Sequence, residues 1–198
     1  MSEDLLVAEA IESYSETIQS AVSLARTLRL VGYSILKFNT RDINKARVDE
    51  VISEEKERLK EAKIMVPKCA IYTFTLKQEC NSAVIWDAVE KKKKEMKISK
   101  KTPNLCAINR FHSSSLVLYL GRSFSPWGRI GQHMKQMTSG MYAMHLEQWA
   151  VDLELDVQMS LYGVPEYQET PEYERAINVL ETGLWDHYKP LLGRRGDK

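Results

Sequence analysis

Apolar residues recur at helical spacing through the first sixty positions of the chain. Ala8, Ile11, Ile18 and Val22, with Leu28 and Leu30 beyond them, predict a helix over 4–31 that Gly32 stops. Val48, Val51, Ile52, Leu59 and Ala62 form a second stripe among charged positions and predict a helix over 41–63, capped by Asn39 or Thr40. Together they predict an N-terminal helical hairpin or arm over 1–66, bounded by Pro67. The pattern then changes. Ala70-Ile71-Tyr72-Thr73-Phe74-Thr75-Leu76 is rich in β-branched and aromatic residues and predicts a strand. Residues 82–97 predict a helix. Leu105 to Phe111 and Leu116 to Leu120 predict two strands joined by the turn His112-Ser113-Ser114-Ser115. Ser125-Pro126 supplies a cap and a first-turn proline for a helix to about Met137, and 142–149 predicts a short helix. Val151 to Leu161 alternates apolar with polar residues without interruption, which predicts a half-buried strand. Thr170-Pro171-Glu172 opens a last helix, with Ile177, Leu180, Leu184 and Tyr188 on its inner face and Pro190 and Gly193 at its end. This order predicts an α+β fold: a small, largely antiparallel sheet flanked by helices, plus the N-terminal hairpin.

Composition adds bounds. The chain has 198 residues, 43% hydrophobic and 28% charged, enough for one large domain with a real core. No run of 18 uninterrupted apolar residues is present, and the acidic start Met1-Ser2-Glu3-Asp4 does not resemble a signal peptide. Cys69, Cys80 and Cys106 are odd in number and far apart, which fits reduced thiols and predicts a cytoplasmic location.

The formal net charge of +1 conceals an asymmetry. Residues 1–64 carry a balance of −2, residues 65–145 of +9 and residues 146–198 of −6. A basic middle third predicts a polyanionic partner, with nucleic acid first among candidates. Its densest part holds seven lysines in eleven residues: Lys91, Lys92, Lys93, Lys94, Lys97, Lys100 and Lys101. These read either as a solvated face or as phosphate contacts. Within the same third lie Tyr119, Arg122, Arg129 and His133, which a strand-to-helix corner brings within reach of one another. A phenol, two guanidiniums and an imidazole suit a phosphodiester anion, whose oxygens match the planar fork of arginine donors.

The segment Leu118-Tyr119-Leu120-Gly121-Arg122-Ser123, followed by Arg129 and His133, resembles the second half of a GIY-YIG nuclease module. The resemblance covers roughly 69–193. In that family a strand tyrosine precedes a glycine, a Lys or Arg follows the tyrosine by three residues and a helical arginine by about ten. Here Arg122 and Arg129 stand at those distances from Tyr119, and His133 follows one helical turn later. Glu181, in Leu180-Glu181-Thr182-Gly183-Leu184-Trp185, takes the place of the family's metal ligand, while Gly193 stands where many members have an asparagine. Ala70-Ile71-Tyr72 matches the family's first motif in type, with 77–104 then a basic insertion in a nuclease domain over 67–198. Asn109, ten residues before Tyr119, is the other candidate for that position.

The resemblance implies metal-assisted phosphodiester hydrolysis in DNA with Mg²⁺ or Mn²⁺. Tyr72 or Tyr119 would act on the attacking water, Arg122 and Arg129 would favour phenolate, Arg129 and His133 would hold the phosphate, and Glu181 would bind the metal. Two other readings stand beside it: a nucleic-acid-binding module on the same fold without catalysis, and a helical-arm protein-interaction module in which the basic insert contacts a protein partner; the N-terminal helices are also a candidate contact for a homodimer. Other chemistries lack their residues. Asp152, Glu154 and Asp156 have no lysine two residues after the second carboxylate, as a different nuclease class requires. Gly-x-x-x-x-Gly-Lys-Ser/Thr, His-Glu-x-x-His and Gly-x-Ser-x-Gly are all absent.

Overall fold

A computed structural model describes residues 3–99, 105–135 and 142–196, with side chains from residue 9 onward. The chain runs α1 (Glu3–Ala25), β1 (Val31–Asn39), α2 (Lys45–Glu61), β2 (Ala70–Leu76), α3 (Ser82–Ile98), β3 (Val117–Ser123), α4 (Pro126–Met134), β4 (Asp156–Gly163) and α5 (Pro171–Tyr188). The four strands form one sheet in the order β1-β4-β2-β3, each neighbouring pair antiparallel. The fold is therefore α+β, as predicted.

Side chains alternate across each strand, so the register sorts the residues into two faces. Tyr72, Phe74 and Leu76 share one face with Leu161, Met159 and Val157 of β4, with Leu36 and Phe38 of β1, and with Tyr119 and Gly121 of β3. This face packs on Val48 and Ile52 of α2, on Ile130 and Met134 of α4, and on Met144, Leu146 and Trp149. Ile71, Thr73, Leu120 and Arg122 point the other way, towards the side where α5 lies against β3 and α1 lies along α5. A smaller apolar cluster of Cys69, Val164 and Ile177 closes that side.

Four elements differ from the pattern. The N-terminal hairpin is not formed. After α1 ends at Ala25 the chain becomes β1, an edge strand that pairs with β4 over its whole length and separates the two helices. Its apolar residues lie on both faces, with Ile35 exposed and Leu36 buried, and a register shift at Gly32/Ser34 breaks the period. Asn39 caps a single 3-10 turn (Thr40–Asp42), and Asn44 caps α2 instead. The strand expected over 105–111 is an irregular segment with isolated bridges from Leu105 to Ala143 and from Ile108 to Leu192. It lies outside a short stretch, Leu191–Gly193, that covers the free edge of β3: Leu191 and Leu192 donate to the Val117 and Leu118 carbonyls, and Gly193 donates to Ala107. The expected strand over 151–161 begins only at Asp156, because Val151–Leu153 is a 3-10 turn and Glu154 is left-handed (φ 48°). Residues 146–148 form a 3-10 turn, not a longer helix.

Other expectations hold. β2, α3 and the start of α5 fall where the pattern puts them, and Thr170 caps α5 by accepting from the Tyr173 N–H. Ser125 stands at the N-cap of α4, although its hydroxyl makes no capping bond. The segment 77–104, read as an insertion, supplies Ile85, Trp86 and Val89 to the core through α3. No helix among the described residues is long and apolar enough to cross a membrane.

Candidate active site

The site starts from a cross-strand pair. Tyr72 on β2 lies directly opposite Gly121 on β3, and Tyr119 lies two residues along on the same face. With no side chain at 121, the Tyr72 ring lies across the β3 backbone and meets Tyr119, ring centroids 6.2 Å apart and planes within 10°. A Cβ at 121 would come within 2.9 Å of both Tyr119 Cε1 and Tyr72 Oη. Gly193 (φ +112°) crowds the opposite edge of the Tyr119 ring, where a Cβ would come within 3.0 Å of Cε2. Two glycines thus hold a pair of phenols in one buried layer, Tyr72 1% and Tyr119 8% exposed. Asn109 is elsewhere: its side-chain amide donates to the Pro190 carbonyl and its backbone N–H to Leu191. The phenol beside Tyr119 is therefore Tyr72.

Helix α4 brings the next two groups, one turn apart on one face, because Arg129 and His133 are separated by four residues. His133 is fully buried, its ring centroid 4.3 Å from Tyr119 and 5.5 Å from Tyr72. Its Nδ1 accepts the Met144 backbone N–H at 3.2 Å, so in the neutral ring the proton sits on Nε2. That Nε2–H donates to Tyr72 Oη at 3.0 Å. Burial, and then the Arg129 charge, hold His133 well below the ordinary imidazole pKa, so it is neutral at pH 7. Tyr72 Oη consequently has its own O–H free to donate elsewhere.

Half-buried Arg129 is fixed by bonds to Gln132 Oε1 (2.9 Å) and to the Tyr142 carbonyl (2.6 Å). Its guanidinium favours the ionised form of both phenols. Burial outweighs it: Tyr72 is pushed well above 10, and Tyr119 up to about 12. Both phenols are therefore protonated near neutral pH unless further positive charge enters the site.

Arg122 does not face the phenols. One residue beyond Gly121, it points to the other side of the sheet, where its Nε donates to Glu181 Oε2 at 2.9 Å and its guanidinium also reaches Asn178. The Arg122 backbone N–H donates to Glu181 Oε1 at 3.2 Å. Glu181 thus sits at the β3 edge, near enough that its charge opposes ionisation of both tyrosines. Arg122 orients Glu181 and does not act as the second cation on the phenols. Each Glu181 oxygen keeps a lone pair beyond its bond to Arg122, so the carboxylate can still serve a cation that takes few protein oxygens. No group of three or more His, Cys, Asp or Glu placed to hold a metal occurs among the described residues.

The lysine run divides. Lys93 is partly buried and donates to the Cys106 carbonyl at 2.6 Å, and Lys92 pairs with Glu95 at 3.1 Å. Lys91, Lys94 and Lys97 lie along α3, and all three are exposed. Lys100 and Lys101 lie outside the described residues. Sequence reasoning misses Tyr142, whose carbonyl holds Arg129, and Asn178, which lies one turn before Glu181 on α5 and shares its grip on Arg122. Helical spacing from Glu181 points to Asn178, whereas nothing in the sequence points to Tyr142.

No protein-family model, curated protein or solved structure matches this chain.

Proposed function

We propose that the protein is a metal-dependent DNA endonuclease of the GIY-YIG type, hydrolysing phosphodiester bonds at the Tyr72–Tyr119 pair. The observation that carries this reading is the convergence of two stacked phenols, Arg129 and a neutral His133 on one face of the sheet, with Glu181 at the adjoining edge. Arg129 stands where it would hold a non-bridging phosphate oxygen. The His133 Nε2–H fixes the Tyr72 oxygen and leaves its O–H directed away, so Tyr72 orients a water or a phosphate oxygen. Tyr119, against Arg129 and less buried than Tyr72, is the phenol better placed to ionise, and as phenolate it would take the proton of the attacking water. Glu181 would hold Mg²⁺ or Mn²⁺, which supplies charge neutralisation at the phosphate and the leaving oxygen and favours phenolate beside it. The exposed lysines of α3 would contact the backbone of the same DNA.

One observation favours a second reading. Both Glu181 oxygens are engaged by Arg122, as they would be in a module that binds nucleic acid without cutting it. A plasmid-nicking assay with Mg²⁺ against EDTA, on wild type, Arg129→Ala and Glu181→Ala, separates the two. The nuclease reading expects metal-dependent nicking that each substitution lowers at least ~100-fold. Nicking that survives both substitutions would sink it. DNA binding without nicking would favour the second reading.

A further inference from the structure

The wall that covers β3 carries an aromatic ring for which the fold has no use. Phe111 is 100% exposed, the middle residue of the one-turn 3-10 helix Arg110–His112. Both neighbours are tied down. Arg110 donates to Glu90 of α3 at 2.7 Å and lies over the Trp86 ring at 5.6 Å. His112 packs edge-on against Trp185, and its Nδ1–H donates to the Pro190 carbonyl at 3.0 Å. The Asn109 amide bonds to that same carbonyl, and the Ser115 hydroxyl donates to the Tyr188 backbone carbonyl. A large apolar side chain on a loose loop folds back on the surface. Here the backbone on either side is fixed, and the ring is held out in water.

The surroundings are cationic, and they lead back to the phenols. Lys94 lies one helical turn beyond Glu90, and its charge reaches that carboxylate. Lys93, on the same helix, feels the charges of Arg194 and Lys97. Arg194 lies over the Tyr142 ring at 5.1 Å, and Tyr142 holds Arg129. The acids within this line are largely spoken for: Glu90 by Arg110 and Glu95 by Lys92, with Asp87 one turn before Lys91. Phosphate contacts by cations and stacking by aromatic rings are the two elements with which proteins hold a nucleic-acid strand irrespective of sequence.

We propose that Phe111 stacks on a nucleobase at the far end of a phosphate-binding track that starts at Arg129 and passes Arg194, Lys97 and Lys94. It rests on the phosphodiester reading of the phenol site, and it adds a second grip on the same strand.

The test uses Phe111→Trp and Phe111→Ala in the full chain, with EDTA present to prevent cleavage. The probes are a fluorescein-labelled duplex of about 20 base pairs and an oligothymidylate, at low salt. Binding is read by anisotropy, and the indole introduced by Phe111→Trp by the difference in emission from wild type. The expected results are quenching of that added emission at saturation and about tenfold weaker binding by Phe111→Ala, with an unchanged salt slope. Binding that leaves the added emission unchanged, with Phe111→Ala as tight as wild type, would overturn the stacking role while leaving the nuclease reading intact. If wild type binds neither probe, both readings fall. If Phe111→Ala abolishes self-association in light scattering and leaves DNA binding alone, the ring is a protein contact and the proposal is wrong.

Discussion

Adding one methyl group at position 121 tests the central geometry without touching a polar atom. In Gly121→Ala the new Cβ would lie 2.9 Å from Tyr119 Cε1, 2.9 Å from Tyr72 Oη and 3.2 Å from Tyr72 Cζ. Neither ring has an easy retreat. Tyr119 has the Gly193 backbone against its opposite edge, and Tyr72 is buried and bonded to His133. Overpacking of this kind costs about 1–3 kcal/mol. For a chain of this size each kcal/mol lowers Tm by roughly 2–4 °C, so the expected fall is roughly 2–12 °C. Differential scanning calorimetry at pH 7 reads it directly. Gly183→Ala is the matched control: the site is exposed within α5, and nothing lies within 4 Å of its Cβ position. Removing an interior helix glycine stabilises by roughly 0.5–1 kcal/mol, so this variant should melt slightly higher than wild type. If Gly121→Ala melts at or above the wild-type temperature, the two phenols are not packed across that glycine. In the nicking assay, Gly121→Ala should lose activity and Gly183→Ala should keep it.

Two further outcomes follow from buried groups. The Thr40 hydroxyl accepts the Leu155 N–H at 2.8 Å and donates to the Ala150 carbonyl at 2.7 Å, all buried. In Thr40→Val the Ala150 carbonyl keeps the Leu153 N–H but Leu155 N–H is orphaned, so chemical denaturation should show a loss of about 1–3 kcal/mol, and Thr40→Ser should recover most of it. An undiminished stability in Thr40→Val would refute that account. At high pH, Tyr119 keeps its proton up to about 12 when folded but ionises near 10 when unfolded; Cys69 and Cys106 behave alike, at about 11 and about 12 against 9. The folded chain then binds more protons than the unfolded one, so stability is full below about pH 9 and falls as pH rises towards 12. A urea midpoint that stays level or rises between about pH 8 and 11 would contradict it.

The elements legible in the sequence are those with one dominant local signal. β2 is largely buried on both faces and reads as a continuous β-branched and aromatic run. α5 announces itself by Thr170-Pro171. β1 is illegible because its apolar residues divide between the faces and its partner strand lies far downstream. The pattern overstates the reach of β4 because Leu153 and Leu155 pack inward from a 3-10 turn and its exit with the same alternation that an extended strand gives. At the candidate site, local spacing suffices for Tyr119, Arg129 and His133. The choice of Tyr72 over Asn109 needs the sheet register, and the turning of Arg122 towards Glu181 follows from strand parity at one residue. The Met144 N–H that sets the His133 tautomer has no sequence signature at all, since nearly any residue supplies one.

The pairing of β1 with β4 also sets a timetable for synthesis. Val31 must wait for Gly163, more than a hundred residues later, before its backbone finds a partner. The Gly193 backbone against Tyr119 and the carboxylate that grips Arg122 come later still. A nascent chain emerging from the ribosome therefore carries both tyrosines and Arg129 long before the layer around them can close. With so much of its sheet built from distant contacts, the protein should fold late and slowly. Whatever chemistry the phenols perform is thereby withheld from an incomplete chain.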